Sequence, residues 1–358
     1  MLPFTFAILG CFATSLGFTA GHRLEVTTVP NHVRPYIVRA YSLPGVVVGT
    51  QIYRFPVTGP SSDNAFTLIS TAAPASDELG VLPHTHQAHY ENFYCLRGRY
   101  NLWTSRNGSN EGRVLSPGDY GAVPPNTTHT FQITDPLTEM VGVISPGGFE
   151  DLFYFLGSAN VSSYTHSPYI PNSNATTPGG DASTISSLEK FDVHAKLDYI
   201  PPTHFDNNGT TDSTTAWHNG DNEPAEDSST PFFIAKDFGR KYLTGSAKTS
   251  YTIVQPFITA AQSNGNFTEG TLTLSQGSNS TSQTWNLPGH TALEVIDGAI
   301  GISVEGHVET PTLFVGDVVF IPANSSFSFW AVASFNKVLY VGQGDDTLDA
   351  RLINQAKS

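Results

Sequence analysis

An all-β chain folded as two similar barrels is what this sequence predicts, on three observations. Short runs rich in β-branched and aromatic residues recur along its length. One turn-and-strand unit occurs twice, about 200 residues apart. Helical periodicity is scarce.

The strand runs are Gly45–Arg54, Ala65–Ser70, Phe93–Thr104, Val141–Ile144, Tyr251–Phe257, Gly270–Ser275, Leu293–Val304 and Lys337–Val341. Each is bounded by Gly, Pro, Asn or Ser, the residues that end strands and form turns. Many short strands so punctuated indicate a sandwich or barrel. Helices are expected only over Pro146–Ser158, over the tail Asp346–Ala356 and, briefly, near Ile185–Phe191.

The repeat is specific. Ser116-Pro-Gly-Asp-Tyr-Gly-Ala-Val-Pro-Pro-Asn-Thr-Thr-His129 matches Phe314-Val-Gly-Asp-Val-Val-Phe-Ile-Pro-Ala-Asn-Ser-Ser-Phe327. Gly98 and Gly298, each closing a hairpin strand upstream, mark the same offset. Between the copies, residues 158–231 are rich in Ser, Thr, Asn, Gly, Pro and Asp, which reads as a long connection with little core of its own. The expected organisation is residues 1–20 as a signal peptide, 21–157 as a first barrel, 158–231 as linker and 232–358 as a second barrel.

Met1 to Ala20 are apolar and close on small residues, as a secretory signal does, and are too short and interrupted for a good membrane span. Eight Asn-x-Ser/Thr sequons agree with secretion. Asn107, Asn160, Asn174, Asn208, Asn266 and Asn279 are the expected glycan sites; Asn126 and Asn324 fall in tight turns. Cys11 leaves with the signal and Cys95 stands alone, so no intrachain disulfide forms. A formal charge of −14 with only 17 Lys plus Arg argues against nucleic acid and anionic membranes as partners.

The chemistry lies in Gly80-Val-Leu-Pro-His84-Thr-His86-Gln-Ala-His-Tyr-Glu91-Asn-Phe-Tyr-Cys-Leu-Arg-Gly98. His84 and His86 are two apart and share one strand face. Glu91 opens the returning strand, and His129 follows the second turn. Three imidazoles and a carboxylate suit a first-row transition metal with open positions. Phe93 and Phe131 follow Glu91 and His129 by two residues, so both rings point into the barrel and favour a flat aromatic ligand. Arg97 and Arg99 lie toward the strand end, away from the metal, and no other arginine is placed to pair a dianion.

These residues match both motifs of the cupin superfamily: His84, His86, Glu91 and Gly98 in the first, Gly118, Pro124 and His129 in the second. Asn126 replaces the usual glycine of that turn and tolerates the left-handed backbone it needs. The resemblance implies a bicupin of two jelly-roll barrels. In the second copy the ligand positions fall on Thr284, Asn286, Thr291 and Phe327, none of which binds metal. His290 and Glu294 stand nearby at the wrong spacing.

More closely, the chain resembles the fungal quercetin 2,3-dioxygenases. That resemblance implies a copper enzyme opening the central ring of flavonols with dioxygen, giving a depside and carbon monoxide. It implies His84, His86, Glu91 and His129 as metal ligands, Glu91 as general base, and Tyr53, Thr71, Phe93, Phe131 and Met140 around the flavonol. A homodimer is open to it. A His₃Glu site also accepts iron, manganese, cobalt or nickel. Two other readings stand: a manganese cupin acting on oxalate, and a storage-type bicupin without activity.

Overall fold

The structure, a computed structural model, describes residues 23–157, 159–161, 182–212, 214–246, 250–276 and 283–357. The expected all-β bicupin is what it shows. Each barrel is a large sheet facing a small one.

In the first barrel an eight-stranded sheet runs, in order, through Ala159–Val161, Gly45–Val48, Gln51–Val57, Thr67–Ala73, Thr138–Ser145, Tyr90–Arg97, Tyr120–Val123 and Phe232–Ile234. It faces a five-stranded sheet that includes His84–Thr85, Thr128–Ile133 and Tyr100–Arg106. The second barrel sets another eight-stranded sheet, with Thr291–Asp297 and Phe335–Gln343 at its centre, against four strands that include Ser326–Ala331.

Strand alternation divides the first barrel's residues between two cores. On Tyr90–Arg97, Phe93 and Cys95 turn inward to meet Leu102, Phe131 and Ile133 of the facing sheet. Tyr90 and Tyr94 turn outward, where the two large sheets pack back to back around Phe257, Phe267, Phe320 and Val341. Tyr120 and Phe257 stack across this joint with ring centroids 4.4 Å apart.

Strand pairing crosses the boundaries drawn from sequence. Tyr36–Val38 pairs antiparallel with Val318–Ile321 of the second barrel, and Phe232–Ile234 pairs with Tyr120–Val123 of the first. Each barrel thus uses a segment from the other's side of the chain to extend its large sheet, which covers an edge that would otherwise be unpaired. The connection is also more built than its composition indicates. Leu188, Val193 and Trp217 are buried against the first barrel. The three expected helices are found at Glu150–Leu156, at Ala182–Ser187 continuing into a 3₁₀ turn Leu188–Phe191, and at Leu348–Lys357.

The two copies of the repeated turn have the same backbone. Asn126 and Asn324 have φ of 64° and 61°, the left-handed conformation that asparagine accepts. Of the expected glycan sites, Asn107, Asn160, Asn208 and Asn266 are exposed, and Asn174 and Asn279 lie outside the described residues.

Candidate metal centre

The antiparallel register of the small sheet places His129 directly opposite His84. Glu91 lies on the facing sheet, opposite Val123 and Ile144. His86 leaves the strand end of His84 and turns back toward the same point. One ligand atom from each of His84, His86, Glu91 and His129 lies within 4.8 Å of the others, and this is the group of metal-ligating side chains found among the described residues.

The imidazoles are fixed by what holds their far nitrogens. Nδ1 of His84 meets the Leu82 carbonyl at 2.8 Å, Nδ1 of His86 the Asp192 carbonyl at 2.7 Å, and Nδ1 of His129 the Thr127 carbonyl at 3.2 Å. A carbonyl only accepts, so every Nδ1 carries the hydrogen and every Nε2 of a neutral ring presents a lone pair. Those lone pairs converge. The Nε2 atoms of His84 and His86 are 3.2 Å apart, and Oε2 of Glu91 lies 3.0 Å from His86 Nε2 and 2.9 Å from His129 Nε2. Four acceptors facing one point repel one another unless a cation sits among them. The donor set fits a first-row transition ion.

Electrostatics agree. Burial, helped by the flanking imidazoles of His129 and His86, pushes His84 well below the ordinary histidine range, so it stays neutral. Burial also works against ionisation of Glu91, but the contacts from His129 and His86 outweigh it and hold its carboxyl below the usual range. Burial opposes a proton on His86, while the Glu91 carboxylate and the Asp192 carbonyl favour one and prevail.

A cavity opens on this centre, and Tyr53, Thr71, Phe93, Phe131 and Met140 all line it. Phe131 lies against Gly80, where an added Cβ would come within 2.2 Å of the ring. The Tyr53 hydroxyl donates to Gln51 Oε1, and its ring packs on Phe153 with centroids 4.2 Å apart. Among the described residues, Glu91 is the sole carboxylate of the lining, and no Lys or Arg contributes. Arg97 and Arg99 are surface residues, with side chains 53% and 58% exposed.

The sequence reading missed the roof of this cavity. Phe149, Leu152 and Phe153 come from the helix after the first barrel, and Ile185, Leu188 and Val193 from the connection. Apolar spacing on Pro146–Ser158 signalled a helix but not where its face lands. His89, in the turn between His86 and Glu91, meets Asp192 Oδ2 at 2.8 Å and supports the centre rather than joining it.

The second barrel requires one correction. Phe327, the counterpart of His129, pairs with Trp285, whereas the sequence alignment set Thr284 in the place of His84. The Leu287 carbonyl accepts from the Asn324 amide as the His86 carbonyl does from Asn126. The counterparts of His84 and His86 are therefore Trp285 and Leu287, not the exposed Thr284 and Asn286. The turn that follows is one residue shorter than in the first barrel, which shifts any count made back from Gly298. Thr291 keeps the place of Glu91, opposite Ile321 as Glu91 is opposite Val123. The centre is filled with apolar side chains.

A β-barrel with three tautomer-locked imidazoles, one carboxylate and an apolar cavity is a cupin metal site, and the Cupin domain profile matches residues 72–141. The chain is 51% identical over 337 residues to quercetin 2,3-dioxygenase of Aspergillus japonicus, covering 92% of this chain and 95% of that one. It is 34% identical over 133 residues to quercetin 2,3-dioxygenase of Bacillus subtilis, covering 37% and 38%. Among solved structures it resembles oxalate decarboxylase of Bacillus subtilis in fold, with TM-score 0.54 and 13% identity over 89% of this chain and 79% of that one. The chain belongs to the quercetin 2,3-dioxygenase family and is a dioxygenase.

Proposed function

We propose that this protein opens the central heterocyclic ring of flavonols such as quercetin with dioxygen, giving a depside and carbon monoxide, with copper as its metal. The observation that carries this reading is the single His₃Glu centre facing an apolar, aromatic-walled cavity, in a chain close in sequence to a flavonol-cleaving relative. The cavity argues against oxalate. A small dianion needs cationic side chains beside the metal, and the described residues of the lining include no Lys or Arg.

A bound ion supplies a Lewis acid for the flavonol 3-oxygen. Glu91 accepts the 3-hydroxyl proton at its carboxylate, a role supported by its being the one carboxylate among the described residues of the lining. Phe93 and Phe131, whose centroids are 6.0 Å apart, hold the flat rings. Roof and walls are mostly apolar, so the electron-rich flavonolate meets dioxygen in an apolar space.

The test is quercetin in air with the copper-loaded chain, following loss of flavonol absorbance and release of carbon monoxide together. Equal amounts are expected. Flavonol loss without carbon monoxide contradicts the reaction. Secretion and glycosylation belong to the same proposal and rest on the leader-like first twenty residues and the exposed sequons. Mass spectrometry of secreted protein should find glycan at Asn208, and bare sequons throughout would count against it.

A further inference from the structure

The connection between the barrels reaches into the metal centre, and Asp192 is its point of contact. Asp192 ends the 3₁₀ turn Leu188–Phe191 in the left-handed conformation, with φ 61° and ψ 31°. Its carbonyl accepts from Nδ1 of the ligand His86 at 2.7 Å. Its carboxylate spans the turn that follows His86. Oδ1 accepts from the Gln87 amide at 2.8 Å, and Oδ2 from the Ala88 and His89 amides at 2.8 and 3.0 Å. The His89 ring adds a contact to Oδ2 at 2.8 Å. Three successive amides directed at one anion form a concave nest, which is why an aspartate suits the position.

The same stretch carries Leu188 and Val193 into the roof of the cavity. The segment from His86 to Glu91 has no strand pairing of its own across residues 87–89, because the strands stop at Thr85 and resume at Tyr90. Asp192 supplies the hydrogen bonds that a ladder does not.

We infer that Asp192 is a positioning residue: its carbonyl fixes the tautomer and aim of His86, its carboxylate holds the turn joining His86 to Glu91, and the connection thereby sets how tightly the centre keeps its metal. This rests on the metal-centre reading and not on the identity of the substrate. Backbone partners of metal-binding histidines are worth roughly 10–100-fold in metal affinity.

The test uses the full chain, stripped of metal, reloaded with copper(II) and titrated with a competing chelator. Asp192→Gly keeps the left-handed backbone and the carbonyl and removes only the carboxylate. Because the carbonyl partner of His86 is retained, its copper affinity should fall toward the lower end of that range, about 10-fold, while the melting temperature of the metal-free protein changes little, a split that a purely structural role would not produce. Asp192→Asn, which keeps one acceptor oxygen, should fall less. A Gly variant that is folded and holds copper as the native chain does overturns the inference. If that variant fails to fold, hydrogen exchange on the native chain decides: slow exchange of the Gln87, Ala88 and His89 amides is expected, and exchange at the rate of free loop amides overturns the inference. A native chain that keeps no copper instead defeats the metal centre itself, and a failed flavonol assay touches neither result.

Discussion

The two barrels share a turn, a register and a back-to-back joint, yet they use the same four positions in opposite ways. In the first, the mouth holds His84, His86, Glu91 and His129, and the surrounding side chains leave a cavity. In the second, Trp285, Leu287 and Phe327 fill the space beside the buried Thr291, and Leu352 and Ile353 of the C-terminal helix pack into the same core. Charge follows the same division. In the first barrel the contacts from His129 and His86 hold the Glu91 carboxyl below the usual range, whereas Glu269 and Glu294 of the second barrel are buried with one oxygen of each carboxyl lacking a hydrogen-bond partner. The framework is held by turns and strand pairs, so it is expected to stand without the metal. Function is then a matter of which side chains occupy the mouth.

The largest effect should come from removing a ligand. His86→Ala should abolish tight metal binding and activity while the far-ultraviolet circular dichroism of the barrels remains, because the second barrel shows the fold standing without ligands. Loss of the fold would make the metal structural and break the comparison. Next in size is Glu91→Gln, which keeps shape and an oxygen but cannot take a proton. Turnover should fall by about 10²–10⁴-fold with metal retained through the three histidines. The deficit should shrink at high pH, where flavonol ionises unaided. Full metal with near-normal turnover at neutral pH would remove Glu91 from the base role.

Phe131→Ala tests the cavity. Flavonol affinity should weaken by about 1–3 kcal/mol if the ring is buried against the ligand. Unchanged affinity would assign Phe131 to the barrel core alone, beside Tyr100 and Leu102. The smallest effect concerns the second barrel's acids. Burial raises the Glu269 carboxyl from 4.5 to about 8, against the hydrogen bond it accepts from Tyr120 across the joint. A folded pKa above the unfolded value means the folded state holds the proton more tightly. That contribution to stability is complete below 4.5 and is lost as pH rises through about 8. Glu269→Gln cannot ionise, so its melting temperature relative to the native chain should rise as pH climbs from about 6 to about 9. A constant difference would show that Glu269 does not titrate there.

Much of this was legible in the sequence, for a physical reason. Hairpin geometry ties a glycine, a proline and an asparagine to fixed offsets, so Gly118 and Gly316 located both barrels and His129 located the fourth ligand. Period-2 alternation then put Phe93 beside Glu91. The failures have equally specific causes. Counting back from Gly298 crossed a turn one residue shorter than its partner and chose Thr284 and Asn286 over Trp285 and Leu287. The exchange of edge strands and the roof of the cavity are long-range contacts, and composition alone does not encode them. Asp192 stands about 100 residues beyond the ligand it supports, in a stretch that reads as linker.

One barrel alone brings metal ligands together among the described residues. Elemental analysis of the native chain tests this directly, against protein concentration from quantitative amino-acid analysis. One tightly bound transition-metal ion per chain is expected, and none in His86→Ala. Two ions per native chain, or one that survives His86→Ala, would contradict it.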